Sequence, residues 1–414
     1  MSGFQLRLLD LLPITYQSQD VSLSEWISLL TLCLAPLIAH IVVGTPAVSY
    51  LCNSRPQWHE EMCHYNPTSI LWRYAAITDR RIRSRSWNRI DLAATNAIFW
   101  TTRGWDGSEA MVKYSLPYCV HLPDHARISV FSREMIKTII VTLQGIQAVI
   151  VLVGTFVGNK STVFTKWMAV DIIFFPLASI GLLRLCCGLW LNDDFLYSTH
   201  HNITSDHHLT NVDRVSSTDS LLEAPLLHQP SQFRETSFWL SRLFRTLFLL
   251  VIVSMLSLAI LYLISGRQYT ATDFVVILFY TVLFTATILI FLYYFVRGCT
   301  TTTVIPCIAT TAYKAYTGII FGLMLSALVV SCIETRRTPC GKYTSGPGAE
   351  ADYLACRNSA NDVIPLAADP DFVYYGIAAY NYTVSSNGTI VGIDHNRHQV
   401  FNFTGMCLGE KDKL

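Results

Sequence analysis

Four groups of residues have the types and spacing to do chemistry. The first is Trp58-His59-Glu60-Glu61-Met62-Cys63-His64. Histidines around a glutamate suggest a zinc-protease helix, in which H-E-x-x-H sets two imidazoles on one face toward one metal. Here the residue four after His59 is Cys63, and His64 is one further on, so that catalytic spacing fails. Cys52, His59, Cys63 and His64 still have the chemistry of a structural zinc set. The alternative is a partly buried turn. The second group is His200-His201 and His207-His208 beside Asp206, in a run rich in Ser, Thr and Asp. The HxxxxH and HxxHH spacings of membrane di-iron enzymes are absent, and the run reads as a flexible polar loop.

The third group lies inside apolar runs: His40, Asp171 and Arg184. Ionisable groups at membrane depth are costly and point to a solute or proton path. In that reading Asp171 and His40 exchange charge. In the alternative, Asp171 reaches the outer interface, Arg184 snorkels inward and His40 hydrogen-bonds a neighbouring helix. The fourth group is a set of N-x-S/T acceptors at Asn159, Asn202, Asn381, Asn387 and Asn402.

The elements that must position these groups follow from composition. Of the 414 residues, 51% are hydrophobic and 14% charged, against about 25% charged in soluble domains. Mean hydropathy is +0.37 and formal net charge +1. These values exclude a disordered chain, argue against a soluble multidomain enzyme, and offer nucleic acid no basic field. Six apolar runs are long enough to cross a bilayer as helices: 27–47, 138–158, 167–191, 246–266, 274–296 and 315–333. Ile90–Trp100 is too short and carries Asp91 and Asn96. Thr303–Ala312 either extends the sixth run past Pro306 or re-enters the membrane. Gly154 and Gly158 in the second run have the spacing that lets helices approach closely. The first residues lack the basic cluster of a cleaved signal peptide, and the first run serves as an uncleaved insertion signal.

Basic residues set the orientation. Arg7 alone precedes the first run, whereas residues 48–137 hold twelve arginines and lysines. That loop is expected in the cytosol and both termini outside it, lumenal or extracellular. Arg336 and Arg337, directly after the sixth run, fall on the outer side against the rule. Asn159, Asn381, Asn387 and Asn402 also fall outside, where glycans are attached, and only Asn202 falls in the cytosol. The location expected is therefore the plasma membrane or endoplasmic reticulum of a eukaryotic secretory route.

The tail, 334–414, is expected as a small β-containing domain. Tyr382–Val384, an Asn387-Gly388 turn and Thr389–Val391 read as a hairpin, and Val400, Phe401 and Phe403 as a further strand. Cys340, Cys356 and Cys407 lie in this tail and Cys332 at the membrane edge. Cys340–Cys356 with Cys332–Cys407 is the simplest pairing by loop length; a lone disulfide with free thiols is the alternative. Lys411-Asp412-Lys413-Leu414 resembles a K-D-E-L retention signal with one acidic position made basic.

Two cytosolic loops remain. Residues 48–137 hold five of the nine tryptophans: Trp58, Trp72, Trp87, Trp100 and Trp105. Asn66-Pro67-Thr68 starts a helix carrying Ile70, Tyr74 and Ile77 at helical spacing. Arg80, Arg81, Arg83, Arg85 and Arg89 then follow closely. Arginine beside tryptophan suits a bilayer surface, so an interfacial helix binding anionic lipid of the cytosolic leaflet is expected. The alternative is a solvated loop whose arginines only fix topology. The second loop, 192–245, is polar. Cys186, Cys187 and Cys299 lie near the inner membrane face, where palmitoylation is feasible.

The reading is an all-α polytopic membrane protein of six transmembrane helices with a small, β-containing, disulfide-bonded outer domain. No nucleophile elbow, P-loop, dinucleotide fingerprint or Asp-rich pyrophosphate motif occurs, and no cofactor is called for. A non-catalytic membrane or partner-binding component is expected, in contact with the bilayer and with no nucleic acid. A small-solute or proton-coupled transporter and a membrane-embedded enzyme are the alternatives.

Overall fold

A computed structural model describes residues 14–128, 132–157, 168–199, 232–264, 270–338 and 341–346, and short strands at 364–365, 382–384, 390–393 and 406–407. Helix α1 (Leu23–Gly44) opens on a capping box, in which Ser22 and Glu25 satisfy each other's backbone end, and it runs through Pro36 without ending. Strand β1 (Val48–Tyr50) and the short helix α2 (Trp58–Met62) lead into α3 (Pro67–Arg83). Then come α4 (Arg89–Asn96), β2 (Ile98–Thr101), β3 (Gly104–Asp106), α5 (Met111–Tyr114) and β4 (Cys119–His121). Strand β2 pairs parallel to β1 and antiparallel to β3. The region expected as a cytosolic loop is therefore a folded layer. Ile90–Trp100, too short to span, is α4 running into β2.

Among the described residues, five helices are long and apolar enough to cross a membrane: α1, α6 (Arg133–Val157), and three that follow a short α7 (Phe175–Gly181) and β5 (Leu196–Tyr197). These three are α8 (Trp239–Ile264), α9 (Ala271–Val296) and α10 (Thr311–Glu334). Many of their large apolar side chains are exposed, among them Leu143, Ile150, Leu250, Leu289 and Leu325. In water that surface would be untenable; against lipid it costs nothing.

The helix expected over Trp167–Leu191 is not continuous. It is a 3-10 turn at Val170–Ile172, then α7, then 3-10 turns at Leu182–Cys186 and Gly188–Trp190. Pro176 sits in the first turn of α7, where its missing N–H costs nothing, and it prevents a helix from continuing into it from Asp171. The segment packs along α1 and α6, and irregular backbone survives at membrane depth only when buried in protein. Gly145 of α6 makes the approach close, since a Cβ there would sit 2.6 Å from Leu182 Cγ and 2.8 Å from the Ala178 carbonyl oxygen. The contact expected from Gly154 and Gly158 lies beyond the described side chains.

Helices α1 and α6 with the 168–191 segment make one group, and α8, α9 and α10 a second. They meet where Tyr280 donates to the Ile173 carbonyl (2.8 Å) and Phe279 packs edge-on to Phe174. At one end of the bundle, Glu334 at the close of α10 accepts from the backbone N–H groups of Ala271 and Thr272, the first residues of α9, and from Thr15 N–H. A buried carboxylate thus satisfies orphan donors of a helix N-terminus. On the same side β6 (Arg336–Arg337) pairs with β7 (Tyr343–Thr344), and the Ser345 N–H donates to the Met168 carbonyl. Arg337 bonds Glu25 at 3.1 Å and Arg336 donates to the Gly346 carbonyl, so the two arginines that oppose the charge rule are held locally.

In the tail β9 (Tyr382–Val384) pairs antiparallel with β10 (Ile390–Ile393), and β8 (Ile364–Pro365) with β11 (Met406–Cys407). The turn at Asn387-Gly388 and the strand expected at 400–403 lie outside the described residues. No disulfide is present among the described residues, and Cys332 is a free thiol. That corrects the Cys332–Cys407 staple: Cys332 is half-buried and packs against the apolar core. Cys340 and Cys356 lie outside the described residues.

Candidate functional site

The polar chemistry of the molecule converges on α3. Asn66 caps it, its side chain accepting from Thr68 N–H at 2.9 Å, and Pro67 takes the first position, as the sequence predicts. The placement differs from the expected interfacial helix. Every residue from Pro67 to Arg80 is buried. The N-terminal turn plugs into the second helix group. Asn66 donates to Thr317, Thr68 shares hydrogen bonds with Thr287 and Tyr316, and Ser69 with Tyr313. Trp72 lies among Phe291, Tyr294 and Phe295 and donates to the Thr302 carbonyl.

The last turns of α3 form a charged hub. Asp79 is wholly buried and accepts from Arg83 Nε (2.9 Å), from Thr300 (2.6 Å) and from Ser241, with Arg245 Nε 3.9 Å away. Arg83 also pairs with Glu109 and donates to the Arg234 carbonyl. Arg80 donates to the carbonyls of Gly107 and Thr301 and to Thr95. Burial brings Arg80 down to about 10, and it stays a cation at neutral pH. Arg80 and Arg83 are thus corrected from lipid ligands to internal ties. The physical reason is that the two side chains make six hydrogen bonds to protein acceptors inside the fold, so no headgroup is needed. Arg81 lies over the rings of Trp87 and Trp190, while Arg85 and Arg89 are exposed.

A second hub joins α6 to the 168–191 segment. Arg184 bonds Glu134, and donates to Thr138 Oγ1 (3.0 Å) and to the Val43 carbonyl (2.8 Å). Arg184 is therefore paired inside the bundle and does not snorkel. Lys137 shares Glu134 and reaches Asp193 at 3.2 Å. His40 lies close by. A Cβ built on Gly181, three residues before Arg184, would be 4.0 Å from His40 Nδ1. The ring is 2% exposed, and neither nitrogen has a partner among the described residues. Asp171 is on the 3-10 turn beside Val170, whose N–H donates to Thr335 at the Glu334 end of the bundle. His40 is four residues from the opposite end of α1, so the exchange of charge between these two is not built into the geometry.

The zinc set does not assemble. No group of three or more His, Cys, Asp or Glu among the described residues could hold a metal. Instead Cys63 donates to the His59 carbonyl, Cys52 bonds Ser54, and His64 packs its ring 4.1 Å from that of Trp105. Burial drives His64 down to about 3, with the Arg73 charge adding to the effect, so it is neutral at physiological pH. Cys186 is exposed, Cys187 buried and Cys299 half-buried. The acceptors Asn159, Asn202, Asn381, Asn387 and Asn402, the histidine pairs at 200–208 and residues 411–414 lie outside the described residues.

Asp79, Glu134, Arg73 and Glu334 carry the polar architecture, and spacing alone did not single them out. One signal existed, the Asp79–Arg83 pair four apart on a helix. No known family, curated protein or solved structure matches this chain. Any functional reading therefore rests on the residues themselves.

Proposed function

We propose that this protein is a multi-pass membrane glycoprotein of a eukaryotic secretory membrane that acts as a non-catalytic membrane or partner-binding component. One observation carries the choice over transport. Arg184, a buried cation between α6 and the 168–191 segment, is bonded to Glu134, Thr138 and the Val43 carbonyl and is not left to a permeating solute. Ionisable groups spent on internal ties hold helices together and leave no charge to move.

In this reading the 168–191 segment is the sixth crossing. Its Met168 end bonds Ser345 and its Trp190 end bonds Asn96 Nδ2 at 2.7 Å, beside α4. Six crossings put both termini on the side away from α3 and the arginines. The exposed Arg85 and Arg89 then face anionic lipid of the cytosolic leaflet, and the outer tail carries glycans at Asn381, Asn387 and Asn402. Endoglycosidase treatment is expected to increase the mobility of the full-length protein on a gel. The Asn381→Gln/Asn387→Gln/Asn402→Gln triple variant should lose most of that increase. An unchanged mobility of the native protein would place the tail in the cytosol.

The class is tested by reconstitution. Wild type, His40→Ala and Asp171→Asn are all expected to leave proton leak into vesicles at the protein-free level, read by an internal pH-sensitive dye. A wild-type flux abolished by either substitution would establish the transport reading instead.

A further inference from the structure

Arg73 combines two features: like Arg80 it is a buried cation bonded only to uncharged groups, and it borders a small cavity. It is 6% exposed, yet no carboxylate among the described residues is bonded to it. Its Nη2 donates to the Asn96 carbonyl at 2.6 Å, and its Nη1 has no partner among the described residues. The carboxylate whose charge acts on it is Glu134, already shared by Arg184 and Lys137. A buried cation without compensation is among the costliest features a fold can carry.

Beside Arg73 is a small cavity, about 10 Å³, between the end of α1, the first turns of α3 and the 303–308 segment. His64 also lines it, 6% exposed, and its Nε2 too has no partner among the described residues. The hydroxyls on the wall are committed elsewhere: Thr45 donates to the His64 carbonyl, Ser69 to the Cys63 carbonyl and Thr303 to the Gly107 carbonyl. The free donors at the cavity are therefore Arg73 and His64. Ser69 and Ile70, in the first turn of α3, bring the positive end of a helix to the same wall.

We propose that this cavity is a binding site for one small monovalent anion of halide size, held by Arg73 Nη1 and His64 Nε2. The volume suits one solvent-sized particle and excludes phosphate, sulfate and organic carboxylates. A water molecule would satisfy the two donors but leave the guanidinium charge unopposed. Burial takes Arg73 only to about 10, so the charge persists at neutral pH. Neutral His64 contributes one N–H and no competing charge, which suits an anion beside an existing cation.

The test is thermal unfolding of the full-length protein in detergent at constant ionic strength, exchanging gluconate for chloride or bromide. The wild type should gain a few degrees in melting temperature, saturably with halide. Arg73→Gln should abolish that gain, while Arg85→Gln, which removes an exposed cation, should keep it. Equal melting in gluconate and halide overturns the proposal, and so does a gain that survives Arg73→Gln. Should Arg73→Gln fail to fold, anomalous scattering from bromide-soaked wild-type crystals decides. A peak between Arg73 and His64 supports the site, whereas water density alone overturns it.

Discussion

Asp79→Ala is expected to remove about 3–5 kcal/mol of stability, the usual cost of taking one partner out of a buried ion pair. The carboxylate is fully buried and gathers four groups from three parts of the chain: Arg83 on its own helix, Ser241 and Arg245 on α8, and Thr300 after α9. Without it Arg83 keeps Glu109, but Ser241 and Thr300 lose their acceptor, and the Arg245 charge has only carbonyls around it. Each buried orphan adds roughly 1–3 kcal/mol to the loss. Asp79→Asn should be milder than Asp79→Ala, since one oxygen survives as an acceptor, yet still destabilising because its amide faces a donor. Melting temperature and steady-state accumulation of the full-length protein measure both. Arg85→Gln, at an exposed position, is the control and should stay within about 0.5 kcal/mol of wild type. Wild-type melting in Asp79→Ala would show that α3 is held by its apolar face alone.

That hub also marks how far the sequence could be read. Helices α1, α6, α8, α9 and α10 were legible because lipid demands apolar residues on every face, a signal that needs no knowledge of neighbours. The start of α3 was legible because Asn-Pro-Thr is local cap chemistry. Where α3 goes was not. An arginine-rich amphipathic helix has one composition whether its guanidinium groups meet lipid phosphate or buried carbonyls. The residues that decide are Ser241 and Thr300, 162 and 221 positions from Asp79. The 168–191 segment failed in another way. Hydropathy marked it as an apolar run long enough to span, but apolar length is not helicity. Pro176 and Gly181 break the helix where α6 crowds against it. The two exposed arginines, Arg85 and Arg89, sit just beyond the helix and are the part of the lipid-facing expectation that the fold leaves free to act.

The second large effect is an asymmetry at Glu134. Glu134→Leu is expected to cost about 3–5 kcal/mol, whereas Arg184→Met should cost clearly less. The reason lies in what each change leaves behind. Without Glu134, Arg184 is an uncompensated cation, 1% exposed, with only Thr138, Tyr74 and the Val43 carbonyl as partners. Arg73 loses the opposing charge of Glu134 as well. Without Arg184, Glu134 still holds Lys137, whose ammonium is one-third exposed and also bonded to Asp193. The double variant Arg184→Met/Glu134→Leu should therefore be more stable than Glu134→Leu alone. A hydrophobic pair of similar volume carries no desolvation cost, and the restored stability is the coupling between the two sites. A full cycle of melting temperatures reads it. If the two single losses simply add in the double variant, Arg184 and Glu134 contribute independently, and the bond between them is not what fixes the 168–191 segment against α6.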